Sequence, residues 1–126
     1  MRILHVTDAY LPKQGGIEVQ VGDLARRQTD AGHEVTVFTC ASDAAGHRPR
    51  PGRGMPERTV DDDGVAQLRV GLPWLALPAA IRQVHAVLRR EQPDVVHVHL
   101  SVWSPLSILA IKAAVRQDLA VTVTLH

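Results

Sequence analysis

The sequence predicts an α/β domain, a Rossmann-like open parallel sheet with helices on both faces. Two observations carry that expectation. Four short runs, Ile3–Val6, Val35–Phe38, Val95–His99 and Val121–Leu125, are rich in β-branched and apolar residues, as strands covered on both faces are. Most are separated by stretches whose apolar residues fall at helical spacing, the alternation that builds a parallel sheet. A length of 126 residues fits one domain, expected to span 1–126, and a 45% hydrophobic content supplies its core.

The elements follow in order. Ile3-Leu4-His5-Val6 closes on Thr7-Asp8. Ala9 to Gly16 holds Pro12 and the pair Gly15-Gly16 and reads as a loop. Ile17, Val21, Leu24 and Ala25 mark one face of a helix reaching Ala31, and Gly32 stops it. Val35-Thr36-Val37-Phe38 is the second strand. From about 41 to 57 the pattern breaks at Gly46, Pro49, Pro51, Gly52, Gly54 and Pro56, with Arg48, Arg50 and Arg53 between them. This is expected to be a flexible basic loop.

Asp63-Gly64 lies between Arg58-Thr59-Val60 and Val65-Ala66-Gln67-Leu68, which reads as a small hairpin. A helix after Pro78 presents Ile81, Val84, Val87 and Leu88 on one face and ends at Pro93-Asp94. Ser104-Pro105 opens another helix, reaching about Gln117. It is apolar on most sides and so expected to be well buried.

Composition narrows the function. Lys and Arg total 14 against 13 Asp and Glu, and aromatics make up 3%. Neither a basic face nor a base-stacking platform is expected, so nucleic acid is not a predicted partner. The single cysteine, Cys40, forms no internal disulfide, which fits a reducing compartment. Met1-Arg2-Ile3-Leu4 runs straight into a strand without a signal-peptide pattern, and no apolar stretch is long enough to span a bilayer. The expected location is the cytoplasm. The G-x-G-x-x-G fingerprint and the Walker loop are absent, which disfavours a nicotinamide-dependent dehydrogenase. A phosphate-accepting receiver domain would use Asp8, but its acidic cluster and lysine are missing.

In open α/β sheets, ligands bind beyond the carboxyl ends of the strands. Here those ends are Thr7-Asp8, Thr39-Cys40, His99-Leu100 and Leu125-His126. Gly15-Gly16 precedes a helix whose free amides and positive dipole end suit a phosphate, although such a pair also serves a simple turn. His97 and His99 share a strand face and could ligate zinc, but neither spacing nor cysteines supply further ligands, so no metal is expected. His97 reads as a core histidine, and His99, at the functional end, as the better substrate contact. Asp61-Asp62-Asp63 runs into Gly64 and reads as turn chemistry. Cys40 reads as a small core residue. Trp74 and Trp103 could stack on sugar rings or simply pack, and Trp103 lies closer to the His99 strand end.

Several stretches together resemble the opening of family-four glycosyltransferases, which have the two-domain GT-B fold. They are Arg2-Ile3-Leu4-His5-Val6-Thr7, Tyr10-Leu11-Pro12, Gly15-Gly16-Ile17-Glu18, Gly32-His33-Glu34-Val35-Thr36-Val37, Pro93-Asp94-Val95-Val96-His97-Val98-His99 and Thr124-Leu125-His126. The resemblance implies an amino-terminal, acceptor-side domain of a retaining enzyme. Such an enzyme moves sugar from a nucleoside diphosphate sugar to a sugar, lipid or small-molecule acceptor, with no cofactor.

By that resemblance Gly15 and Gly16 contact the donor diphosphate and His126 lies beside the transferring sugar as the catalytic residue. Asp8, Tyr10, His99 and Trp103 line the acceptor side. Gln28 stands where the family usually has leucine, an expected mild loss of packing. The carboxyl-terminal donor domain is expected to lie outside the chain, with low activity alone, an open strand edge, and a separate carboxyl-terminal half or a homodimer as further expectations. Peripheral membrane contact through the Arg48–Arg58 stretch is a weaker expectation than a solvated loop. The alternative function is a non-catalytic acceptor-binding or interaction module.

Overall fold

The computed structural model describes residues 1–10, 15–41, 55–71 and 77–126. Its elements are β1 (Arg2–Thr7), α1 (Gly16–Asp30), β2 (Glu34–Thr39), β3 (Arg58–Val60), β4 (Ala66–Arg69), α2 (Leu77–Glu91), β5 (Val95–Leu100), α3 (Pro105–Arg116) and β6 (Ala120–Leu125). Most of the loop expected at 41–57, and Trp74, lie outside the described residues.

The described strands form one six-stranded sheet in the order β3-β4-β2-β1-β5-β6. The four expected strands and the expected hairpin are all present, and the hairpin joins the same sheet, a pairing that the sequence did not show. β4 pairs in parallel with β2, from Thr36↔Ala66 to Thr39↔Arg69, and β3 runs antiparallel along its outer edge. The turn between them is built by Asp61, whose Oδ1 accepts the amides of Asp63 (3.0 Å) and Val65 (2.9 Å). Gly64 completes it at φ +81°, a conformation that favours glycine.

Side chains alternate across each strand, and the two faces carry separate cores. On one face Leu4, Val6, Phe38, Leu68, Val96 and Val98 pack against Val84, Val87 and Leu88 of α2 and Leu106, Ala110 and Ala114 of α3. On the other, Ile3, Val35 and Val37 pack against Val21 and Ala25 of α1. Helices therefore cover both faces, as expected.

Burial of α3 is less complete than its composition implies. Leu106, Ser107, Ala110, Ala113 and Ala114 face the sheet and α2, while Ile108 and Val115 are exposed. One helix face meets the sheet, and among the described residues nothing covers the opposite face. On its α1 side, the sheet is covered by that helix over β1 and β2, which leaves the polar row of β5 and β6 partly open.

Candidate functional site

The parallel strands put Thr7, Thr39, Arg69, Leu100 and Leu125 at one edge. From β1 the chain turns through α1 to β2 on one side. From β5 it turns through α3 to β6 on the other. The strand order thus reverses between β1 and β5, and the crevice outside that point is where open α/β sheets hold ligands. The starts of α1 and α3 face the same edge.

Gly15 and Gly16 sit at the start of α1 as expected, but they are not equivalent. A side chain on Gly15 would collide with the carboxylate of Glu18, which folds back over it and is itself buried. A Cβ on Gly16 meets nothing within 4 Å. The carboxylate lies in the first turn, where negative charge complements the helix dipole.

Asp8 is also at this edge, with its carboxylate engaged by the protein. Its Oδ1 accepts the Leu106 amide at 2.9 Å, and its Oδ2 accepts the Ser107 amide at 3.1 Å and the Ser107 hydroxyl at 2.8 Å. Asp8 therefore caps α3 from the end of β1, because the first amides of a helix lack partners of their own. Cys40 Sγ donates to the Asp8 carbonyl oxygen at 3.6 Å, and burial, with the Asp8 charge beside it, pushes the thiol up to about 12. That agrees with a packed residue rather than a nucleophile.

Tyr10 is only 1% exposed, within the core that contains Val21, Ala25 and Val65. The Arg69 guanidinium lies 6.0 Å from its ring centre. Burial pushes its hydroxyl up to about 12. Tyr10 is therefore a packed core residue rather than part of an open surface. Trp103 lies in the loop after β5 and is 80% exposed, beside the fully exposed Val102. Of the four residues expected on the acceptor side, it is the one that solvent reaches most freely.

The histidines converge. His5 and His97 are paired across β1 and β5, and His99 lies opposite Thr124 of β6. His5 Nε2 is 2.6 Å from Gln28 Oε1 of α1, and His5 Nδ1 is 3.0 Å from His99 Nε2. His99 Nδ1 is 3.2 Å from His126 Nε2, and the His126 amide donates to the Leu100 carbonyl at 2.8 Å. Both nitrogens of His99 are thus engaged, and the ring is only 4% exposed. The expected direct contact of His99 with substrate is corrected to a buried link between β1 and β6.

His97, expected in the core, is half-buried and bonded to the Thr124 hydroxyl at 2.7 Å. Gln28, expected to weaken packing, instead partners a buried imidazole that would otherwise lack an acceptor. The sequence signal for it was a polar residue at the sheet-facing side of a helix opposite a histidine strand.

Burial lowers His5 to about 4. The Gln28 hydrogen bond opposes that fall and His97 adds to it. Burial lowers His99 to about 3, with His97, His5 and His126 each adding to the effect. His97 is lowered for the same first reason, and then by His126.

Ring nitrogens of His5, His97 and His99 lie within 4.8 Å of one another. The rings of His97 and His99 stack at 4.3 Å with 24° between their planes, so their in-plane lone pairs run side by side rather than converging. His5 and His99 meet in a mutual hydrogen bond. Both features oppose a ready-made metal centre, which needs convergent lone pairs.

Residues 14–126 match the model of Glycosyltransferase Family 4. The chain belongs to that family. Phosphatidyl-myo-inositol mannosyltransferase of Mycolicibacterium smegmatis is 32% identical over 123 residues, covering 90% of this chain and 28% of that protein. The chain therefore spans little more than a quarter of the length of this relative. The solved structure of sucrose-phosphate synthase from Thermosynechococcus elongatus superposes with a TM-score of 0.56 at 14% identity, covering 99% of this chain and 32% of that one. At that identity the likeness concerns the fold alone, a Rossmann-like domain like one half of the GT-B fold. Among the described residues, no helix of this family-four domain is long and apolar enough to cross a membrane.

Proposed function

We propose that this family-four domain is the acceptor-side half of a retaining glycosyltransferase whose donor is a nucleoside diphosphate sugar. The supporting observation is the shared edge at the β1–β5 reversal. There the open backbone at Gly16 begins α1, and His126 is held at the end of β6 by the Leu100 carbonyl.

In this reading the amides at Gly15 and Gly16 stabilise the donor diphosphate, since a helix start favours negative charge. His126 lies beside the transferring sugar, where it orients and polarises. Trp103 offers its ring to the acceptor. The bond from the anomeric carbon to the phosphate oxygen breaks as the acceptor oxygen bonds to the same face. The acceptor proton passes to the departing phosphate oxygen. Asp8, Tyr10 and His99 build the floor on which these groups stand.

A carboxyl-terminal half is needed for the opposite wall of the cleft, because positioning two substrates is a large share of such catalysis. The chain alone is then nearly inactive. The name of the mannosyltransferase relative supports placing mannose donors and phosphatidylinositol-type lipids among the substrates tried. The decisive experiment measures transfer from a panel of nucleoside diphosphate sugars, with and without a separately supplied carboxyl-terminal half. Transfer only with both halves supports the reading. Full activity of the chain alone contradicts it, and acceptor binding without transfer in either condition favours an interaction module.

A further inference from the structure

Four side chains in line connect the interior of α1 to the end of β6. Gln28 Oε1 meets His5 Nε2 at 2.6 Å, His5 Nδ1 meets His99 Nε2 at 3.0 Å, and His99 Nδ1 meets His126 Nε2 at 3.2 Å. His5 and His99 are buried and His126 is exposed. A neutral imidazole has one N–H and one lone pair, and a hydrogen bond consumes one of each. In a line of neutral rings, the first bond therefore sets all the others.

An amide oxygen accepts but does not donate. His5 consequently donates its Nε2 proton to Gln28 and turns the Nδ1 lone pair towards His99. His99 donates from Nε2 to that lone pair and turns its own Nδ1 lone pair towards His126. His126 donates from Nε2 to His99, and its lone pair is left on Nδ1.

We propose that Gln28, acting through His5 and His99, fixes His126 in its Nε2-protonated form and so makes it a hydrogen-bond acceptor at Nδ1. The consequence for function rests on the reading above, in which His126 lies beside the transferring sugar. A hydroxyl there would be held as a donor to Nδ1 rather than as an acceptor from an N–H. Gln28, His5 and His99 are then positioning residues, and His126 is the group that meets substrate.

Three features support this assignment. Both interior rings are held neutral by burial, with His5 lowered to about 4 and His99 to about 3, so each offers one N–H and one lone pair at neutral pH. The line ends inward on an amide, which does not titrate, so it orients protons without conducting them. The remaining ring of the cluster, His97, bonds Thr124 and stays outside the line.

The test reads the ring nitrogens of this chain directly, with no donor or acceptor present, so it stands or falls separately from the transfer assay. In chain carrying 15N-histidine, long-range proton–nitrogen correlation, recorded at a pH where imidazoles are neutral, is expected to show Nε2 protonated and Nδ1 bare at His5, His99 and His126. Gln28→Leu should loosen the line and move the His126 ring signals towards those of a solvated histidine. Gln28→Glu, which retains an acceptor, should keep the wild-type pattern. A proton on Nδ1 of any of the three rings would overturn the proposal. So would His126 signals that are identical in the wild type and Gln28→Leu. If Gln28→Leu fails to fold, the wild-type and Gln28→Glu spectra still decide the direction of the line.

Discussion

The carboxylate of Asp8, at the end of β1, accepts the backbone amide of Leu106 at 2.9 Å across 98 residues of chain. It also accepts the amide and hydroxyl of Ser107. The first strand thereby anchors the start of α3 and fixes the loop between β5 and that helix. Replacing Asp8 by Ala leaves these donors without their acceptor and should cost about 2 kcal/mol, the size of a lost cap with charge-assisted bonds. Asp8→Asn keeps one acceptor oxygen and should cost less. Urea unfolding checks both. Wild-type stability in Asp8→Ala would mean that α3 is held by packing alone.

The two glycines at the start of α1 separate fold from function. Gly16 has open space at its missing Cβ, so Gly16→Ala should leave stability unchanged or raise it by about 0.5 kcal/mol, as the helical backbone allows. If this backbone holds the donor phosphate as proposed, Gly16→Ala should nonetheless raise KM for the nucleotide-sugar in the two-half transfer assay, because a methyl group then stands between backbone and phosphate. Gly15→Ala forces the Glu18 carboxylate to move and should lower stability as well. Equal transfer kinetics for Gly16→Ala, or for the bulkier Gly16→Val, would remove the phosphate role from this loop.

Acid should weaken the fold through its buried imidazoles. His5 and His99 are lowered to about 4 and about 3 from an ordinary 6.5, so the unfolded chain binds protons that the folded chain refuses. Their contribution is intact above pH 6.5. It falls as the pH drops below 6.5, by up to about 1.4 kcal/mol per pH unit for each ring, and the loss is complete below the folded values. Urea midpoints at about pH 7.5 and about pH 5 test the sign, since stability must rise with pH where the unfolded state binds more protons. A midpoint that stays level across this range would show that the two imidazoles accept protons without unfolding.

The sequence made the strands, the helix starts and the Asp61–Gly64 turn legible because each is set by neighbours within a few residues. Pairing between strands is not local, and β4 is only four residues long. Its short alternating pattern reads equally well as half of a separate hairpin or as a strand added beside β2. The histidines show the same limit. Alternation placed His97 and His99 on one face, but nothing in their spacing brought His5 between His99 and Gln28. Gln28 looked like a fault in an apolar stripe because its partner lies 23 residues away, on another element. His99 looked available because strand position reveals which edge a residue occupies, not which of its nitrogens are already bonded.

Trp103, proposed to meet the acceptor, offers the clearest separation of binding from folding. Its side chain is 80% exposed in the loop after β5. Surface truncations away from caps and cores usually change stability by less than about 0.5 kcal/mol. Trp103→Ala should therefore unfold at the wild-type urea midpoint. If the indole stacks on an acceptor ring, its removal should weaken acceptor binding by about 1 kcal/mol, the scale of an aromatic contact beyond simple burial, while the donor KM stays constant. Acceptor titrations against the two-half enzyme measure this directly. An unchanged acceptor KM would assign the exposed tryptophan to something other than the acceptor, and a lowered urea midpoint would assign it to the fold.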